Sequence, residues 1–258
     1  MRVAIVVYDG VLATECEAFT SVLGAMDDAE VVLVGARRGS FAGPGGRQLA
    51  DAAFDDSDVV GAVDVAVVPG GLGCERAADD AALRDFLVRM ERSARYVAAS
   101  STGTVVLASA GLLHGRSAAT HWLAADLLRR YGSEADDRRM VMSGNVITCE
   151  GRISAVDAAF AIVERLHGPS AVERIRATLL ARGEPHLRPQ PWWARPIEWV
   201  RSAIGLRAPG PAPEPAPDPS EPPVTPLSVM VELVDNDDLA RRLERSGRRR
   251  RSTRRDRT

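Results

Sequence analysis

The chain has no lysine, only three cysteines and four histidines, and 5% aromatic residues. With alanine, arginine and valine plentiful, the missing lysine points to a GC-rich genome and not to a function. Cys16, Cys74 and Cys149 lie far apart and form no CxxC pair. That excludes a disulfide framework and a zinc site. No His/Cys/Asp cluster has metal-ligand spacing, so neither a metal nor a cofactor is expected. The GPGG run at residues 43–46 lacks the lysine and Ser/Thr of a phosphate-binding loop. No apolar run approaches the ~20 residues needed to span a bilayer. Met1 leads directly into strand-like residues, without the pattern of a signal peptide. A cytoplasmic setting is therefore expected. No solenoid-type repeat is present.

Hydrophobic residues make up 45% of the 258, enough for one large core. The net charge of −2 hides an asymmetry: residues 241–257 hold ten arginines against two acids. The body is acidic and the tail basic.

Residues 2–7 are continuously apolar, as in a strand covered on both faces. Asp9-Gly10 turns the chain. Residues 15–26 have helical spacing at Cys16, Phe19, Val22, Leu23 and Met26. Residues 31–34 and 64–68 are further buried strands, the second stopped by Pro69-Gly70-Gly71. Residues 39–48 are glycine-rich and predict a loop or hairpin. Residues 79–92 predict an amphipathic helix with Leu83, Phe86, Leu87 and Met90 inward. Residues 122–131 predict another, with Leu123, Leu127 and Leu128 on one side. Residues 139–142 and 146–149 flank Ser143-Gly144-Asn145 as a hairpin. Helices follow at 153–166 and 170–181. This alternation implies an α/β fold with a mostly parallel sheet and helices on both faces.

The stretch 96–122, YVAASSTGTVVLASAGLLHGRSAATHW, organises this pattern. A short apolar run turns through Ser100-Ser101-Thr102-Gly103 into a segment with helical spacing, Val105 to Leu113. Strand, tight turn and helix make an elbow with Ser101 at its tip. Free N–H groups opening the helix favour developing negative charge. The elbow, residues 9–15 and residues 69–73 all end at the carboxyl side of strands, where open α/β sheets bind ligands. Gly70 and Gly71 leave their backbone amides unobstructed, and Gly71 with the Thr102 amide could hold an oxyanion. Glu15 can place a carboxyl against Ser101. This chemistry fits an acyl-transfer or hydration pocket. The plainer alternative is a tight turn at PGG and a first-turn acid favoured by the helix dipole. Cys16 and Cys74 are candidates for a displaced nucleophile, with Cys74 just after the PGG loop and open to exposure. The favoured reading makes both structural.

The order of these motifs resembles the ThiJ/PfpI superfamily, the class I glutamine amidotransferase-like fold. The matching residues are YDG at 8–10 with Glu15, DVAVVPGGLG at 64–73, and STG at 101–103. GLLHGRSAATHW at 111–122 and GNVITCEG at 144–151 follow, with Asp157 in the next helix. The GLLHGRSAATHW segment looks most like the isonitrile hydratase branch, and equally like the sensing domains of AraC-type regulators. The resemblance implies a flavodoxin-like sheet, a small-molecule ligand or substrate, and a homodimer. It also implies a nucleophile at the elbow tip, where the family has cysteine and this chain has Ser101. The helix acid maps onto Glu15, where the isonitrile hydratase branch has Asp. Thr102 argues against the protease and deglycase branches, which place histidine there. A serine hydroxyl, unlike a thiol, needs a dedicated base. His121 is the best histidine candidate and Glu15 the other. The resemblance leaves open a serine enzyme of hydratase or hydrolase type and a pseudoenzyme that binds a metabolite or acts as an adaptor.

By this reading the α/β domain spans residues 1–185. A Trp-rich helical extension covers 186–207 and a linker 208–226, with nine prolines between 209 and 226. Residues 227–258 carry a short apolar segment and the Arg-rich tail. Too few residues remain for paired helix-turn-helix modules, so sequence-specific DNA binding is not expected. The tail could touch nucleic acid or anionic membrane without specificity.

Overall fold

The computed structural model describes residues 1–57 and 61–183. In chain order the strands are β1 (Arg2–Val6), β2 (Glu30–Gly35), β3 (Gly39–Gly43), β4 (Gly46–Ala50), β5 (Ala52–Ala53), β6 (Val65–Val68), β7 (Tyr96–Ser100), β8 (Ser117–Ala118), β9 (Glu134–Ala135), β10 (Met140–Ser143) and β11 (Val146–Cys149). The α-helices are α1 (Ala13–Leu23), α2 (Cys74–Asp79), α3 (Ala81–Ser93), α4 (Gly103–Ser109), α5 (Ala125–Arg130), α6 (Arg152–His167) and α7 (Pro169–Ala181).

Seven strands form one sheet in the order β10-β11-β7-β6-β1-β2-β5. Every pairing is parallel except the β10–β11 hairpin. This is the mostly parallel sheet that the alternating pattern implied, in the flavodoxin-like form that the resemblance implied. β1 explains why its sequence is apolar at every position after Arg2. Val3 and Ile5 join the core on one face, with Phe19 of α1 and Ile162 of α6. Ala4 and Val6 join the other, with Phe86 and Leu87 of α3 and Leu107 of α4. A strand buried on both faces has no solvent side to alternate with.

The chain leaves β1 for β2 on one side, and β6 then pairs on its other side. The sheet therefore reverses its strand order at β1 and β6, and the loops after their carboxyl ends open a crevice there. The elbow after β7 is next in line.

Several elements differ from the sequence-based expectation. The helix expected from Glu15 starts at Ala13 and ends at Leu23, where Gly24 closes it. The helix expected over 79–92 is α3, with Leu83, Phe86, Leu87 and Met90 buried as expected; the short α2 before it was not expected. Asp80 separates the two because its side chain accepts from the amides of Ala82 (2.9 Å) and Leu83 (3.3 Å), an N-cap that starts a new helix. The helix expected over 122–131 is a 3₁₀ turn at Trp122–Ala124 followed by α5. Of the three leucines expected inward, only Leu128 is fully buried, because so short a helix covers one narrow stripe. The Val105–Leu113 helix stops at Ser109. Cys74 is buried rather than exposed, since α2 packs against α4. The expectations for 186–207, 208–226 and 227–258 lie outside the described residues. Among the described residues no helix is long and apolar enough to cross a membrane.

Candidate functional site

Ser101 is the one non-glycine residue with positive φ (54°) among the described residues. Side chains rarely adopt this left-handed conformation, so the surrounding structure must hold it. It does so from two directions. The Ser101 amide donates to the Cys149 carbonyl of β11 (2.8 Å), and the Thr120 hydroxyl donates to the Ser101 carbonyl (2.9 Å). The THW segment thus reaches the elbow through Thr120.

Beneath the elbow the backbones touch. A β-carbon on Gly70 would lie 2.7 Å from the Ser101 β-carbon and 3.0 Å from its Oγ. One on Gly103 would lie 2.2 Å from the Val68 carbonyl oxygen. Only glycine lets the PGG loop and the start of α4 come this close.

Glu15 sits in the first turn of α1 and is only 3% exposed. Its Oε2 accepts from the Gly70 amide (2.9 Å) and from the Ser100 hydroxyl. Ser101 lies next along the chain, its Oγ within reach of the Gly70 backbone that Glu15 holds. Burial nevertheless pushes the Glu15 pKa above its ordinary value. The Ser100 and Gly70 hydrogen bonds, the nearby Ser101 hydroxyl and the Arg152 charge oppose that rise.

Thr102 locks the PGG loop. Its hydroxyl accepts from the Gly71 amide (2.8 Å) and donates to the Gly71 carbonyl (3.0 Å). Both PGG amides are therefore engaged, Gly70 by Glu15 and Gly71 by Thr102. The Thr102 amide at the elbow enters no hydrogen bond among the described residues.

His121 caps the 3₁₀ turn. Its Nδ1 accepts from the Leu123 amide (3.3 Å), and its ring stacks on Trp122 with centroids 5.8 Å apart. Partial burial lowers its pKa, and Glu150 opposes this. No hydrogen bond joins it to Ser101 among the described residues. Asp157 forms an ion pair with Arg139 (3.5 Å) on the surface of α6.

All three cysteines are buried and unpaired. Burial, then the Glu15 charge, pushes the Cys16 thiol up to about 12. Burial likewise raises Cys74 and Cys149. A thiol held protonated and out of water is a poor nucleophile, in keeping with structural roles. Among the described residues no group of His, Cys, Asp and Glu is arranged to hold a metal ion.

Sequence reasoning missed the Ser100–Glu15 contact. The signal available was a serine closing an otherwise apolar strand. It also missed a cavity of about 780 Å³ on the other side of the Gly10–Gly73 contact. Tyr8, Asp9, Phe41, Phe54, Arg76 and Leu83 are among its walls; Ser101, Glu15 and Thr102 are not.

A doubly wound parallel sheet with a serine-tipped elbow and a buried helix acid defines a class of small α/β domains. The chain belongs to the DJ-1/PfpI family, whose model matches residues 1–165. Isonitrile hydratase from Pseudomonas putida is 34% identical over 159 residues, 61% of this chain and 68% of that protein. Protein dj-1beta of Drosophila melanogaster is 34% identical over 134 residues, 51% of this chain and 68% of that one. The helix-turn-helix regulators CdhR of Pseudomonas aeruginosa and GlxA of Rhizobium meliloti also match over shorter stretches. The structure of a ThiJ/PfpI family protein from Pseudomonas syringae superposes with a TM-score of 0.66 at 25% identity, covering 79% of this chain and 84% of that one.

Proposed function

We propose that this domain is a non-metal enzyme of hydratase or hydrolase type acting on a small molecule with an electrophilic carbon. The observation that carries the reading is Ser101 at φ 54° on the elbow, with the buried Glu15 carboxyl bonded to the adjoining Ser100 and Gly70. In this reaction the Ser101 oxygen bonds to the electrophilic carbon and its proton passes to Glu15. The displaced electron pair of the substrate's multiple bond moves to its heteroatom, where the Thr102 amide meets the charge. The Gly71 amide joins only if the Thr102 hydroxyl turns away. Glu15 returns the proton to the atom left with the unshared pair, the former terminal carbon in the case of an isonitrile. Water then cleaves the new ester-like bond, giving one hydrogen back to the Ser101 oxygen and its hydroxyl to the product. The likeness to isonitrile hydratase makes an isonitrile the first substrate to try.

A second reading is favoured by His121. Its imidazole is committed to Leu123 and Trp122, which leaves Ser101 with only a carboxyl as base. By that reading the domain is a pseudoenzyme that binds a metabolite and acts as a regulator or adaptor. A homodimer and a cytoplasmic setting belong to both readings. Trp122 and Ile153, 64% and 70% exposed, support the dimer, and three unpaired thiols suit a reducing compartment.

Turnover on isonitriles, activated esters and small dicarbonyls tests the first reading. Wild type is expected to turn over a member of this set, and Ser101→Ala to abolish it. Activity confined to Ser101→Cys would mean an intact pocket whose chemistry was lost with one atom. Silence in all three proteins, with ligand-dependent stabilisation, would establish the second reading.

A further inference from the structure

Ser100 is fully buried at the end of β7, opposite Cys149 of β11. The preceding strand residues Val97, Ala98 and Ala99 are apolar and also fully buried. A hydroxyl here carries a desolvation cost that alanine would not, unless it finds an acceptor. Among the described residues its one side-chain partner is Glu15 Oε2. That oxygen also receives the Gly70 amide, so it holds the two donors its lone pairs allow. The other oxygen, Oε1, accepts no hydrogen bond among the described residues.

We propose that Ser100 is a positioning residue for Glu15, its hydroxyl fixing Oε2 so that Oε1 serves Ser101 and the carboxyl ionises when it must accept a proton. This rests on the reading of Glu15 as the proton acceptor of Ser101. The tandem serines thus divide the work. One hydroxyl reacts, and the other holds the base. The division follows from the elbow itself. An ordinary strand would send consecutive side chains to opposite faces, and the left-handed turn at Ser101 breaks that alternation.

The groups around Glu15 come from its own helix and from three other places in the fold. Tyr8 follows β1, Cys16 lies on α1, Cys149 on β11 and Arg152 at the start of α6. Tyr8, Cys16 and Cys149 are held neutral by burial across the pH range in question. Arg152 is the one constant charge among them. Removing the Ser100 hydroxyl therefore changes the ionisation of Glu15 without a competing titration.

The test is a pH titration of the Glu15 carboxyl by carbon-13 NMR, with Glu15→Gln assigning the resonance. In Ser100→Ala the midpoint is expected to rise by about one pH unit, because the carboxylate loses a donor. Ser100→Thr, which keeps the hydroxyl, is expected to restore it. The acid limb of Ser101-dependent turnover should move upward with the Ser100→Ala midpoint while KM stays put. An unchanged midpoint in Ser100→Ala, or an equal rise in both variants, would overturn the proposal. A shifted midpoint in a protein with no turnover would support the Ser100–Glu15 coupling and overturn the catalytic reading of Ser101.

Discussion

The two sides of the Gly10–Gly73 contact are built on opposite terms. On the elbow side the backbones meet so closely that no β-carbon fits at Gly70, Gly71 or Gly103. The buried polar side chains there are partnered: Glu15 with Ser100 and Gly70, Thr102 with Gly71. On the other side lies a cavity of about 780 Å³ lined by Phe41 and Phe54 together with Asp9, Arg76 and Asp80. The elbow has chemistry and little room. The cavity has room and no nucleophile. Fixed geometry at a reacting centre and space for varied shapes make opposite demands on packing, and this fold meets them in adjacent compartments.

The contrast breaks most severely at Gly73. A β-carbon there would lie 1.8 Å from the Asp9 carbonyl oxygen and cannot fit without moving backbone. Gly73→Ala is expected to lose about 3 kcal/mol or more, read from urea unfolding. Gly151→Ala is the control. Nothing lies within 4 Å of its added carbon, and its φ of 174° suits any residue. An equal loss in both would show that the close approach is not the cause.

A middle-sized effect is expected from pH. Burial raises the Glu15 pKa above its ordinary 4.5, so the folded protein keeps this proton to higher pH than the unfolded chain. The group's stabilising contribution is whole below the unfolded pKa and is lost as pH rises through the folded one. A gap of one pH unit between the folded and unfolded pKa is worth about 1.4 kcal/mol. Urea midpoints measured from about pH 4 upward should show this decline in wild type and not in Glu15→Gln. Parallel curves would refute the assignment.

The smallest effect should come from the cavity. Ala36 is an exposed part of its wall, with space in front of it. Ala36→Leu should leave stability within about 0.5 kcal/mol and Ser101-dependent turnover unchanged. A loss of turnover would show that the two compartments share a substrate.

The sheet was legible because strands buried on both faces write continuous apolar runs, as residues 3–7 and 65–68 do. The elbow was legible because strand, tight turn and helix follow each other within a few residues. Ser101, Glu15, Thr102 and the PGG glycines do meet in the structure. What the sequence hid is which donor each acceptor chooses. The Gly71 amide looked free for an oxyanion, yet the Thr102 hydroxyl holds it, a choice made by a rotamer across 31 residues of chain. His121 looked free for Ser101, but its ring turns to its own helix end. α2 escaped because it is a single short turn-and-a-half with little periodicity to read.

The partners of Glu15 also set an order of assembly. Gly70 lies 55 residues further along the chain and Ser100 lies 85. On the ribosome the carboxyl emerges long before either, and until they arrive it has only water to bind. β1, at the very start of the described chain, must likewise wait for β6 before its second edge is covered. Contacts of this span close slowly, because a long loop must be ordered before any bond rewards it. The buried acid therefore acts as a late checkpoint: a chain in which Glu15 has left water is one whose central strands have already come together.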